Sequence, residues 1–317
     1  MLRAISRRLL LSVATLWLLS VIVFAAGFLL PGDLARAVLG PTADPRSVEL
    51  LNKQLGLDRP IVTQYFDWAR HALTGDLGTS LAYRTPVAPM VWESLVNSLK
   101  LGAVAFLLVI PLSVLGGIVA ALHAGKFIDK AITIGGVITM ALPEFVSGII
   151  LILVFGIWFP VFPISAQAPQ GSGFFIQVYH LLLPSVPLIL ILFGYIARMT
   201  RSGMVEALAS DYTRTAVLKG LPRRIVVWRH VVRNALLPTI AVIFTQAGYM
   251  IGGLVVVETL FHYRGIGSLI YAAAKAKDFP LLTAGVVVVG LTYVISTLIG
   301  DAISWSLNPR KRTGGRW

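Results

Sequence analysis

The side chains able to do chemistry are few in this sequence, and their spacing assembles no reaction centre. Cysteine is absent, which removes disulfides, a thiol nucleophile and any thiolate metal site. Five histidines, His71, His123, His180, His230 and His262, are scattered without a His-x-x-x-His pair or an acid at ligand spacing. A protein metal site is not expected, and no cofactor is called for. No Ser–His, paired-Asp or His-Glu-x-x-His arrangement falls within the apolar runs, as an intramembrane hydrolase would require. A phosphate-binding loop, Gly-x-x-x-x-Gly-Lys-Ser/Thr, is also missing. Gly125-Lys126 has neither the upstream glycine nor the following hydroxyl. The chain is therefore not expected to be an enzyme, nor to bind a nucleotide through such a loop.

What remains are isolated ionisable groups inside apolar stretches, and these make sense only within the elements that carry them. The 317 residues are 56% hydrophobic and 13% charged, against roughly 25% charged in a soluble domain. Mean hydropathy is +0.82. A membrane helix needs about 20 apolar residues. Such runs occur near Leu9–Leu30, Val96–Leu122, Ile132–Phe159, Leu181–Ala197, Leu236–Val257 and Leu281–Trp305. The first follows Arg3, Arg7 and Arg8 and is longer than a secretory signal's apolar region of about 7–15 residues. It reads as an uncleaved span, although Ala25-Ala26-Gly27 resembles a cleavage site. The expected fold is all-α and polytopic, with six spans.

Charge orients those spans. The net charge of +13 could suggest nucleic acid, but the basic residues sit between apolar runs, where they set topology. With the N-terminus inside, the inner segments hold Lys126, Lys130, Arg198, Arg201, Arg214, Lys219, Arg223, Arg224, Arg229 and Arg233, then Arg310, Lys311, Arg312 and Arg316. Asp129, Glu206 and Asp211 are the acids among them. Outside, Arg36, Arg46, Lys53 and Arg59 are nearly balanced by Asp33, Asp44, Glu49 and Asp58. Both termini are expected in the cytoplasm, and no nucleic-acid partner is expected. The outer segment from about Pro31 to Ser94 is too long for a connector. Ile61, Tyr65, Trp68 and Ala72 recur at helical spacing after Pro60, and Gly75-Asp76-Leu77-Gly78 reads as a turn. This is a small external cap.

Two places invite a functional reading. Counted from Ile132 at roughly 1.5 Å per residue, Glu144 would lie about 18 Å along the third span. A carboxylate at that depth usually faces a cavity or a partner. It would either line a translocation path or serve as a structural group at a helix interface. Asp301, near the inner end of the sixth span, reads as a structural partner of local basic residues. Gly248-x-x-x-Gly252 allows close helix packing but is a weak signal.

The loop from Arg198 to Arg233 is the second place. Asp211 can cap a helix running to Lys219, whose charge complements the negative helix end. Gly220 suits the left-handed residue beyond it, and Pro222 starts the next helix. The result is a two-turn helix about 12 Å long. In the helix that follows, Ile225, Trp228, Val232 and Leu236 would share one face, with Arg223, His230 and Arg233 turned away. Such a short capped helix is either a lever seated in a partner's groove or an interfacial helix touching anionic headgroups.

The motifs around this loop carry a resemblance. Arg198-Met-Thr-Arg-Ser-Gly-Met-Val-Glu206, Asp211-Tyr-Thr-Arg-Thr-Ala-Val-Leu-Lys-Gly220-Leu and Arg233-Asn-Ala-Leu-Leu-Pro238 closely resemble the permease subunits of the dipeptide/oligopeptide/nickel ABC importers. So do Pro31-Gly-Asp33, Leu55-Gly-Leu-Asp-Arg-Pro60, Gly75-Asp-Leu-Gly-Thr-Ser80, Val255-Val-Val-Glu-Thr259, Gly265-Ile-Gly-Ser-Leu269, Asp278-Phe-Pro280 and Asn308-Pro-Arg310. The run covers nearly the whole chain. Arg214-Thr-Ala-x-x-x-Gly220 matches the coupling helix that docks onto the ATPase, although the usual Glu-Ala-Ala reads Arg-Thr-Ala here.

The resemblance implies a type I ABC importer transmembrane domain (MetI-like). It would have a first span plus cap at 1–94, a core with the coupling loop 198–233 at 95–305, and a basic tail at 306–317. It implies a multi-pass protein of the bacterial inner membrane, working with a second homologous permease, two ABC ATPases and an extracytoplasmic solute-binding protein. Asp211, Tyr212, Arg214, Thr215, Ala216, Lys219 and Gly220 are the implied ATPase-coupling residues. Thr215 and Ala216 could equally be helix filler. The substrate would be a peptide, nickel chelate, opine or oligosaccharide. The short outer loop with Gln167-Ala-Pro-Gln-Gly171 departs from the pattern and leaves that choice open. A secondary transporter driven by an ion gradient is the alternative, but it would want ionisable residues on several spans.

Overall fold

The computed structural model describes residues 2–29, 39, 42–54 and 58–307, with side chains left out at a few helical positions, Gly252 among them. Pro31-Gly-Asp33, Leu55–Leu57, Asn308-Pro-Arg310 and the basic tail lie outside the described residues. Among the described residues the fold is helical, with one isolated bridge between Thr79 and Pro86. Five helices are long and apolar enough to cross a membrane, or six if one bent pair is a single span. The described residues within 1–98 and 264–292 form one compact unit, and those within 99–263 and 293–307 form a second.

The first unit contains α1 (Leu2–Leu29), α2 (Pro45–Gln54) and α3 (Ile61–Leu73). It also holds the start of α4 (Val87–Leu122), α11 (Ile266–Ala276) and the start of α12 (Phe279–Leu307). α3 begins just after Pro60, as the spacing predicts. Its Tyr65 hydroxyl lies 2.9 Å from Ser20 Oγ of α1, and Phe24 packs on Tyr65 and Trp68 at ring separations of 5.5 and 5.7 Å.

Two of the distant sequence motifs meet in this unit. Asp278 immediately precedes α12, and its fully buried carboxylate accepts from Leu281 N at 3.3 Å, an N-cap bond to the third helical residue. The same carboxylate accepts from Ala82 N at 3.1 Å and from Ser80 Oγ, which in turn accepts from Tyr83 N at 3.0 Å. Nearby, Ser98 Oγ accepts from Ile266 N at 2.8 Å, and Asn97 donates to Arg264 O at 2.9 Å. Val87, Val91, Ile266, Ala273, Leu281 and Ala284 form the apolar core beside these joints.

The second unit is organised around α7 (Phe174–Leu208), which packs on α5 (Phe127–Ala141), α6 (Glu144–Leu151) and α10 (Val232–Leu260). Small residues permit these crossings. A Cβ on Gly194 would stand 2.3 Å from Gly136 O, and one on Gly203 would stand 2.4 Å from Ala235 O. The backbones therefore touch, as in small-residue crossings of membrane helices. Around them lies a core of Leu101, Leu183, Leu188, Ile196, Leu254 and Phe261.

The expected unbroken third span is corrected here. α5 and α6 meet at 101°, because the chain turns extended at Leu142 (ψ 123°) and Pro143 (ψ 142°). Proline disfavours a helical conformation in the residue before it, so α5 ends one residue short of Leu142 and α6 restarts at Glu144. A π-helical stretch, Ile152–Trp158, then finishes the segment.

Candidate functional site

Within the 198–233 loop lies α8 (Asp211–Leu218), an eight-residue helix between α7 and α10. Its N-cap is Ser210 rather than Asp211, which stands in the first turn, where its charge still suits the positive helix end. Ser210 Oγ lies 2.6 Å from Ala207 O, turning back to α7 instead of capping α8. At the other end, Leu221 N donates to Ala216 O at 3.4 Å and Gly220 N to Val217 O at 2.9 Å. With Gly220 at φ +74°, this is the paired pattern of a Schellman cap. Nothing lies within 4 Å of a Cβ built on Gly220. Glycine is required there by the backbone conformation, and it leaves that side of the cap open.

Two residues of α8 face inward. Thr213 is buried, and its hydroxyl donates to Ala207 O at 2.7 Å. Ala216 is buried with Ile118, Ala121, Met204, Ala207, Val226, Val227 and Val231. That core holds α8 against the end of α7. Asp211, Tyr212, Arg214, Thr215, Lys219 and Gly220 are exposed, so of the residues expected to couple, Ala216 alone points into the chain's own core. Sequence reasoning missed Val217 and Leu218, which are 58% and 80% exposed. Neither carries a charge or a motif position to draw notice, and only the inward turn of Thr213 and Ala216 shows that they face out. The free surface of α8 is thus an apolar patch with Arg214 and Lys219 beside it.

The helix after Pro222 differs from the expected stripe. A single turn, α9 (Arg223–Ile225), passes into a π-helical stretch, Val226–Val231, before α10. The wider turn shifts the register, so a 3.6-residue projection no longer holds. Val226, Val227, Val231, Val232 and Ala235 are buried, while Ile225 and Trp228 are exposed.

A further polar constellation stands at the start of α5. Asp129 is buried, and its carboxylate receives Arg201 Nε at 2.5 Å and Nη2 at 2.7 Å, a bidentate pairing. Gly125 N at 2.8 Å and Thr133 Oγ1 at 3.3 Å complete its shell. Side-chain exposures of 5% for Asp129 and 31% for Arg201 separate this pair from surface ion pairs of little consequence. In the sequence both residues register only as topology charges. The signal available was Asp129's standing as the lone acid of its connector.

Glu144 is the first residue of α6, at the elbow rather than inside a continuous helix, so the length estimate from Ile132 does not apply. The residue is half-buried, and its carboxylate meets no hydrogen-bond donor or cation among the described residues. Among those residues, no group of three His, Asp or Glu could hold a metal ion.

Several apolar helices of spanning length, a broken helix among them and a short exposed helix on a packed core define a polytopic membrane protein. The chain belongs to the family of binding-protein-dependent transport system inner membrane components, whose model matches residues 113–313; the N-terminal model of the same family matches residues 1–111. It is a multi-pass permease of the ABC importer class. It is 34% identical to a probable peptide ABC transporter permease protein, y4tP, of Sinorhizobium fredii (strain NBRC 101917 / NGR234), over 97% of this chain and 98% of that one. It is 33% identical to the glutathione transport system permease protein GsiC of Escherichia coli (strain K12), over 98% and 99% of the two chains. Among solved structures, an amino acid ABC transporter with histidines covers 70% of this chain and 94% of its own, at 14% identity and a TM-score of 0.49.

Proposed function

We propose that this permease imports peptides or a closely related peptide-like solute, and that separate ATPase subunits drive it through the exposed face of α8. The observation carrying the second half is the division of α8. Thr213 and Ala216 anchor it, while Tyr212, Arg214, Val217, Leu218, Lys219 and Gly220 are presented outward. Eight capped residues suit a groove in a partner, and the open left-handed cap at Gly220 lets that partner approach the backbone. Near-full-length likeness to permeases named for peptide and glutathione transport supports the substrate class. The absence of a phosphate loop from the sequence supports an ATPase on another chain.

In this reading both termini and α8 lie in the cytoplasm, a placement supported by the excess of basic residues in the segments on that side. The pathway forms with a second homologous permease, and an extracytoplasmic binding protein delivers the solute. Glu144, at the elbow and without a cation of its own, lines the route and meets the solute's ammonium group. The test is Arg214→Glu combined with Gly220→Asp in the assembled importer. The expected result is normal insertion with uptake reduced about a hundredfold, at the upper end of typical coupling. Full uptake by this variant, or uptake that survives vanadate and loss of the ATPases, would overturn the reading. Peptide uptake in the reconstituted system tests the substrate class, and indifference of the binding protein to peptides would sink it.

A further inference from the structure

We infer that the Asp129–Arg201 pair is the joint that carries motion of α8 into the broken α5–α6 segment, making both side chains positioning residues for transport. This rests on the reading of α8 as the ATPase contact. The path is continuous within one compact unit. α8 is tied to the end of α7 by Thr213 Oγ1 on Ala207 O and by Ala216 packed with Met204 and Ala207. Arg201 projects from the same end of α7, and its guanidinium grips Asp129 by two bonds, at 2.5 and 2.7 Å. Asp129 stands in the first turn of α5 and is itself held by Gly125 N and Thr133 Oγ1.

Two such attachments, rather than one, fix α5 to α7. Further along, Gly136 and Gly194 bring the two backbones into contact. A single crossing would permit rotation about the contact point. Adding a planar bidentate pair at one end removes that freedom, since both fork and carboxylate have a fixed plane. α5 must then follow α7, and the first place where the chain can yield is Leu142–Pro143, where α5 ends at 101° to α6. The elbow carries Glu144. Displacement of α8 is thereby converted into a change of angle beside the proposed route.

The test uses the complete importer, with its partner permease, ATPases and binding protein, in proteoliposomes. Asp129→Asn should leave the ATPases bound and hydrolysing while transport per ATP falls about tenfold, a usual coupling magnitude. Arg201→Lys keeps the charge paired but loses the fork, so it assembles even if the first variant does not. Its transport per ATP should fall about fivefold, the lower end of typical coupling. Spin labels on Ile134→Cys and Ile150→Cys, introduced into a chain without cysteine, report the elbow directly. Vanadate trapping should change their separation in the parent protein and not in Asp129→Asn or Arg201→Lys. Transport per ATP within about twofold of the parent in Arg201→Lys, or an unaltered label response in it, would overturn the inference. The Arg214→Glu/Gly220→Asp variant is run alongside. If it transports normally, the α8 reading has failed; if it is uncoupled while Arg201→Lys behaves as the parent, only the joint has failed.

Discussion

Asp278 shows how much one buried carboxylate can organise. It caps α12 and receives Ser80 Oγ and Ala82 N from a turn nearly two hundred positions earlier in the chain. Replacing it by alanine strands those donors in a buried site, and hydrogen bonds to a charged group contribute about 1.5–3 kcal/mol each before context is considered. Asp278→Ala should therefore lower stability by about 3 kcal/mol, read as an earlier thermal unfolding midpoint in detergent. Asp76 offers the contrast. It is exposed and, among the described residues, accepts from Gly78 N within its own turn at 2.9 Å, so Asp76→Ala should stay within about 0.5 kcal/mol of the parent. A shared loss in both variants would mean the buried site is not the cause. The sequence marks Gly75–Ser80 and Asp278–Pro280 as motifs of the resemblance without saying that they touch. Linear spacing carries no information about such long-range pairs, and the Asp129–Arg201 pair was hidden for the same reason.

Elements were legible where a local cause sets them. The two turns of α8 follow from Gly220 and Pro222, and α3 follows from Pro60 and an apolar stripe. Two departures arose where the helical period changed or stopped. The π-helical stretch at Val226–Val231 moved the buried stripe off Ile225 and Trp228. Pro143 broke a run whose composition looked continuous, since hydropathy registers apolar content and not backbone direction. The crossing of α5 on α7 tests the packing argument at this scale. Gly194→Val would place atoms against Gly136 O and the Met140 side chain, and overpacking of this kind costs about 1–3 kcal/mol. The expected outcome is a less stable, poorly accumulating permease. Gly173→Ala, with no atom within 4 Å of its added carbon, should match the parent in the same accumulation assay. Equal yields of both variants would show that the close crossing is not needed.

At the scale of the whole molecule, charge and apolar length set the topology, and the absence of cysteine makes that topology open to direct measurement. Single cysteines can be placed without first removing native ones. Tyr83, 52% exposed and next to the Asp278 joint, belongs to the proposed external cap; Leu218, 80% exposed, belongs to the proposed cytoplasmic face of α8. In intact cells stripped of their outer barrier, an impermeant maleimide should label Tyr83→Cys and spare Leu218→Cys; after inner-membrane disruption it should label both. The reverse pattern would invert the orientation and remove α8 from the side where ATP is hydrolysed. Adding the purified ATPases to open membranes gives the sharper version of the same argument. A bound ATPase should shield Leu218→Cys and Val217→Cys on the exposed patch while leaving Tyr83→Cys as reactive as before. Protection of that kind would tie the outward face of one short helix to the energy source of the whole importer, and undiminished labelling at both α8 positions would detach it.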